Sequence, residues 1–210
     1  HPINLIYPEP NNQEIEETLD HIKKAQKPIL VVGGELQFSK KSKILVKEIA
    51  KKFSLPVLCT YEHQDLIDND SAYYAGELGL RPPEPIKQNA LQADLVICIG
   101  HQMNGVPNMS YTFPTVTQKF IHILPEKNFF NKLFKTDVSI ISKGESFLDK
   151  LNKTNYISNE NTDWVNECHN RYMNNKATLE IRKAEDGLDF GALIDELGKQ
   201  VPEDSIITND

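Results

Sequence analysis

Two apolar runs that end in glycine are where this chain could hold a ligand. Pro28-Ile29-Leu30-Val31-Val32 runs into Gly33-Gly34, and Ala93-Asp94-Leu95-Val96-Ile97-Cys98-Ile99 runs into Gly100, followed by His101 and Gln102. Glycine lets backbone approach a phosphate or an adenine closely, and a helix starting after Ser39 would turn its N-terminus toward such a group. A tight turn with no ligand explains the same residues. Gly33-Gly34 falls short of the Gly-x-Gly-x-x-Gly fingerprint, and the chain has no Gly-Lys-Ser/Thr phosphate loop. Gly76 and Gly79, three apart, and Gly105 leave the same two readings open. His101 could touch a ligand, although a lone loop histidine is more often solvated. His63 and His122 belong to no Cys/His/Asp/Glu set with zinc or iron spacing, so no metal site is expected. Glu62, Asp65, Asp68 and Asp70 read as a solvated acidic loop. The three cysteines, Cys59, Cys98 and Cys168, are far apart and read as reduced buried thiols of a cytoplasmic protein. No nucleophile elbow occurs, and no catalytic residue is assigned.

These loops hang on one unit, Lys27 to Thr60. The run from Pro28 to Val32, rich in β-branching and closed by glycine, predicts a strand buried on both faces, as in parallel sheets. Ser39 offers an N-cap, and Ile44, Leu45, Ile49 and Phe53 recur at helical spacing with lysines opposite. Pro56 to Thr60 is a second strand, and a crossover of this length makes a right-handed βαβ unit. Upstream, Ile15, Leu19 and Ile22 predict a helix. That helix and the one inside the βαβ unit would cover the sheet on both faces.

Downstream, residues 61–70 form a polar loop at the carboxyl edge, where open α/β sheets place ligands. Tyr74 to Gly79 is assigned no strand. A helix from about Pro85 to Gln92 precedes strands at 93–99, 119–124 and 138–141, and Phe147, Leu148 and Leu151 mark a further helix. Asn152 to Asp163 has no apolar period and reads as a linker. Trp164, Cys168 and Tyr172 share a face of a helix reaching about Lys183. Asp189 caps another helix, with Leu193 and Leu197 facing inward, and Pro202 stops it. Short strands are expected at Ile3 to Tyr7 and from Ser205. The fold class is therefore α/β, an open parallel sheet of five to six strands with helices on both faces.

A chain of 210 residues is long enough to bury a real core. Its net charge of -7 argues against nucleic acid, whose phosphates need a basic face, and no apolar run approaches the ~20 residues that span a bilayer. His1 stands where an initiator methionine would, and the last strand breaks off at Asp210, so the chain reads as a piece of a longer protein.

The succession Lys27 to Gly34, Leu55-Pro56-Val57, Tyr74 to Gly79, Ala93 to Gly100, Ile121-His122-Ile123 and Asp137-Val138 resembles the central domain of thiamine diphosphate-dependent enzymes of the acetolactate synthase type. The resemblance covers about residues 12 to 150. It implies a Rossmann-like, DHS-like NAD/FAD-binding fold. It also implies four segments: 1–10 as the end of an upstream pyrimidine-binding domain, 11–151 as the central domain, 152–185 as linker and connecting helix, and 186–210 as the start of a downstream pyrophosphate-binding domain. The parent enzyme would use thiamine diphosphate and Mg2+ on 2-keto acids, as a transferase or lyase. Both half-sites for that cofactor would lie in the missing domains of the same polypeptide, assembled as a homodimer or homotetramer, and the piece alone would be inactive.

In some members of that family the central domain binds FAD, in others an ADP-like group, and in many it is scaffolding. Carried over by position, Gly33, Gly34, Gly76, Leu78, Gly79, Gly100, His101 and Gln102 would line the cleft. The match departs where FAD-binding relatives follow Gly with Ala-Arg-Phe-Asp, since this chain has His101-Gln102-Met103-Asn104. It departs again at Leu124-Pro125, where they place an aspartate. A lost arginine removes a phosphate partner and a lost carboxylate removes a ribose or adenine acceptor, so an empty or ADP-type cleft is expected over FAD. A free-standing nucleotide-binding or oligomerisation module with no enzymatic parent is the alternative reading.

Overall fold

The computed structural model describes residues 7–158, 160–177, 185–202 and 205. It divides into two compact units, residues 1–175 and 176–210. The first is built on β1 (Pro28–Val32) and β4 (Leu95–Ile99), every residue of which is buried. Both runs are continuously apolar because both of their faces are covered, as parallel strands require. Flanking them are β2 (Val57–Thr60), β3 (Tyr74–Leu78), β5 (Lys119–Leu124) and β6 (Val138–Ile141), in the order β3-β2-β1-β4-β5-β6. All five pairings are parallel. The chain is an open six-stranded Rossmann-like α/β fold. The sixth strand is β3, in the stretch to which the residues alone assign none. Gly76 and the half-exposed Glu77 break its apolar run, and its pairing to β2 shifts register at Val57/Leu58.

One face of the sheet is covered by α1 (Asn12–Lys24), α2 (Lys40–Phe53) and α4 (Gly144–Asn152). Ile15, Leu19 and Ile22 join Leu45, Ile49, Phe53, Phe147 and Leu151 over Leu30, Val32 and Ile97 in a single cluster. The expectation that α1 and α2 take opposite faces is therefore corrected. The apolar stripe of α1 lies under β6, on the side of the sheet that α2 already covers. The opposite face is covered by α3 (Glu84–Leu91) and α5 (Thr162–Ala177), with Phe113 and Met103 of the irregular 100–118 segment between them.

Capping matches sequence. The Asn11 side chain accepts from Glu14 N at 2.9 Å while the Glu14 carboxylate accepts from Asn11 N at 2.6 Å, a reciprocal box, and Ser39 caps α2. Trp164, Cys168 and Tyr172 do share a face: Trp164 and Cys168 are buried, and the Trp164 indole N–H donates to Pro28 O at 2.9 Å. Residues 152–158, though without apolar period, are held to α2. Ser158 N–H donates to Lys52 O at 3.0 Å, the Ser54 hydroxyl donates to Ser158 O at 2.9 Å, and Tyr156 stacks on Phe53 at 6.1 Å.

In the second unit, Asp189 caps α6 (Phe190–Gln200) through Ala192 N, as expected. Leu193 and Leu197, expected to face inward, are 46% and 38% exposed, because α6 buries none of its residues. The strands expected at Ile3 to Tyr7 and from Ser205 fall mainly outside the described residues, as does the end of the helix expected to reach Lys183; Tyr7 itself is not in a strand.

Candidate functional site

The strand order reverses between β1 and β4, so the crevice beyond their carboxyl ends is the place where a doubly wound sheet binds its ligand. Three hydrogen bonds carry the sheet past its ends into that crevice. Gly33 N–H donates to Ile99 O at 3.0 Å, Glu35 N–H to Gly100 O at 3.1 Å and Gly100 N–H to Ile123 O at 3.1 Å. Gly100 has φ +74°, a left-handed conformation that glycine adopts without strain. At Gly33 the need is steric: a Cβ would stand 2.4 Å from His101 Cβ.

The cleft at this point has a volume of about 340 Å³. It is lined by Gly34, Glu35 and His63, by Gly100, His101, Gln102 and Asn104 after β4, and by Leu124, Pro125, Glu126 and Phe129 at and after the end of β5. Of the eight residues expected to line a single cleft, Gly34, Gly100, His101 and Gln102 lie here. Gly33 packs behind His101. Gly76 and Gly79 line a separate hollow at the β3 edge, with Tyr61, Arg81 and Tyr172, and Leu78 is fully buried in the core.

Glu35, Glu126 and His63 are cleft residues that the sequence does not flag, since a lone glutamate after a glycine pair carries no recognisable spacing. Their role becomes visible only when the fold brings the start of α4 to the same crevice. There one carboxylate oxygen of Glu35 accepts the Gly144 N–H at 2.8 Å. A Cβ on Gly144 would stand 2.6 Å from Leu36 Cδ2 and 2.7 Å from that Glu35 oxygen, so the crevice is filled at this point. Burial raises the pKa of Glu35, opposed by the Gly144 N–H and the charge of Lys143. The Lys143 ammonium rests on the Tyr7 ring at 4.5 Å and is not a cleft wall.

The histidines form a neutral pair. His101 Nδ1 accepts from Met103 N–H at 2.9 Å, which assigns its proton to Nε2, and His122 Nε2 donates to His101 O at 2.8 Å. Burial lowers both to about 4; the nearby His63 and His122 add to the effect on His101, and the His101 carbonyl opposes it on His122. His122 lies between Phe120 and Phe130, at 5.0 and 5.3 Å, and so acts in the core.

For a nucleotide diphosphate the donor set fits poorly. The cleft offers two carboxylates, two imidazoles and two side-chain amides, and no Lys or Arg lines it. For thiamine diphosphate with a divalent ion the fit is no better. Among the described residues no group of three His, Cys, Asp or Glu could hold a metal ion, and the chain contains no Gly-Asp-Gly. What the arrangement does provide is a rigid six-stranded body with two glycine-floored hollows at its carboxyl edge.

Residues 15–151 match the family model described as thiamine pyrophosphate enzyme, central domain. Among curated proteins, the chain is 24% identical over 198 residues to the acetolactate synthase isozyme 2 large subunit of Escherichia coli K12, covering 94% of this chain and 35% of that protein. It is 24% identical over 177 residues to the glyoxylate carboligase of E. coli O157:H7, covering 81% of this chain and 30% of that protein. It is 31% identical over 103 residues to the 3D-(3,5/4)-trihydroxycyclohexane-1,2-dione hydrolase of Shouchella clausii, covering 49% of this chain and 16% of that protein. The chain thus spans about a third or less of the length of these relatives.

Proposed function

The chain belongs to the thiamine pyrophosphate enzyme central-domain family, and from that membership we propose that it is the non-catalytic body of an enzyme that works on 2-keto acids with thiamine diphosphate and Mg2+. The observation that carries this reading is the match over residues 15–151, which coincides with the six-stranded sheet and its helices. Thiamine diphosphate, when bound, stabilises a carbanion next to a carbonyl, and the protein's share is to position it. The residues here contribute by holding the flanking parts of the polypeptide in place.

In this reading, 1–10 closes a pyrimidine-binding domain, 11–151 is the central body, 152–185 connects, and 186–210 opens a pyrophosphate-binding domain. The docking of α5 through Trp164 and Cys168 makes the first part of the connection an extension of the central body. The protein acts as a homodimer or homotetramer, a transferase or lyase of the carboligase kind. Three free, buried cysteines suit a reducing compartment, and among the described residues no helix is long and apolar enough to cross a membrane, so the reading includes a cytoplasmic location.

The test is an assay of the protein that carries this chain, with pyruvate and other 2-keto acids, in the presence and absence of thiamine diphosphate and Mg2+. Carbon dioxide release or carboligation that requires the cofactor supports the reading. Turnover that is indifferent to thiamine diphosphate, or none with any 2-keto acid, sinks it.

A further inference from the structure

FAD and ADP are the ligands that the glycines of the crevice would suggest, and both carry a diphosphate. A doubly wound sheet binds that group by turning a helix N-terminus and bare backbone N–H groups toward it. In this chain the position is already taken. Glu35 reaches across the crevice, its backbone N–H bound to Gly100 O at 3.1 Å and its carboxylate bound to Gly144 N–H at the start of α4. That carboxylate already takes a helix N-terminal donor of the kind a phosphate oxygen would use. Glu126 also lines the cleft, and no lysine or arginine does; the charge of Lys143 acts on Glu35 from outside the lining.

We propose that Glu35 is a built-in anion that, with Glu126, closes this cleft to diphosphate-bearing nucleotides, so that any ligand taken there is neutral or cationic. The contribution of Glu35 is electrostatic, and its carboxylate is held in place by the Gly144 N–H. A phosphate brought beside it would meet a like charge in a partly desolvated setting, where repulsion is several-fold stronger than in water. The proposal concerns this chain's own side chains and does not depend on thiamine-dependent turnover, which is assayed without FAD or ADP; each can fail alone.

The test is calorimetric titration of the chain with ADP and with FAD at neutral pH. The wild-type chain is expected to show no saturable binding of either ligand below about 1 mM. The double variant Glu35→Gln, Glu126→Gln retains an acceptor for Gly144 N–H while removing both charges, and is expected to bind ADP at least about tenfold more tightly than the wild-type limit. Glu126→Gln alone, at an exposed position that folding does not need, is expected to shift ADP binding in the same direction by a smaller factor. Saturable binding of ADP or FAD to the wild-type chain below about 1 mM overturns the proposal. So does a folded double variant that binds ADP no better than wild type.

Discussion

His101 and His122 are histidines that burial holds neutral. Their pKa values of about 4 lie below the ~6.5 of an unfolded histidine, so the native state holds fewer protons than the unfolded state between those limits. Stability therefore falls as pH drops through 6.5 and levels off near 4, by about 2 kcal/mol for each histidine at pH ~4.5. Urea midpoints measured from pH 7 to 4.5 should show this decline, and it should be shallower in His122→Phe, whatever that variant's stability at pH 7. A slope unchanged by the substitution would mean that His122 does not titrate as described.

Gly33 yields a second expectation at this scale. Gly33→Ala would force a Cβ to 2.4 Å from His101 Cβ and should cost about 1–3 kcal/mol, whereas Gly79→Ala, whose nearest neighbour would be 3.7 Å away, should stay within about 0.5 kcal/mol. The glycines were legible in sequence as strand endings, but which of them is sterically required was not. That depends on a histidine far along the chain that the register of β1 and β4 brings alongside.

At the scale of elements, α5 is anchored to the body by the buried Trp164, whose indole N–H donates to Pro28 O, and by further hydrogen bonds at Cys168 O, His169 and Arg171. Trp164→Phe retains most of the ring and removes the indole N–H, leaving Pro28 O without its donor at a buried site, at a cost of about 1–3 kcal/mol. Amide exchange along α5 should accelerate more than that along α2; equal protection in variant and wild type would contradict the anchoring. The strands legible in sequence were those buried on both faces, β1 and β4, because continuous apolar β-branched runs closed by glycine have few alternatives. β3 was not legible, since Gly76, at φ +114° with Ile86 Cδ1 2.6 Å from where a Cβ would stand, and Glu77 break its pattern at the sheet edge. The packing of α1 was misjudged for a related reason: an apolar stripe shows that a helix is covered and not which face of the sheet it covers. In the candidate site, Gly34, Gly100, His101 and Gln102 follow from strand endings, whereas Glu35 and Glu126 depend on the topological reversal that brings α4 and the end of β5 to the crevice.

At the scale of the whole molecule, a parallel sheet covered on both faces is suited to holding other parts in register. Several of its titratable groups are held neutral or already bound. The buried cysteines have pKa values pushed upward by desolvation, the cleft histidine is held neutral, and the carboxylate nearest the crevice is bound to a helix N-terminus. Among the described residues no group of three His, Cys, Asp or Glu could hold a metal ion. The most direct measurement is a calorimetric titration of thiamine diphosphate with Mg2+ into this 210-residue chain. A scaffold should give no saturable heat, while the protein that carries the chain binds the cofactor under the same conditions. Stoichiometric binding to the chain itself would contradict a scaffold role and place a catalytic half-site within it.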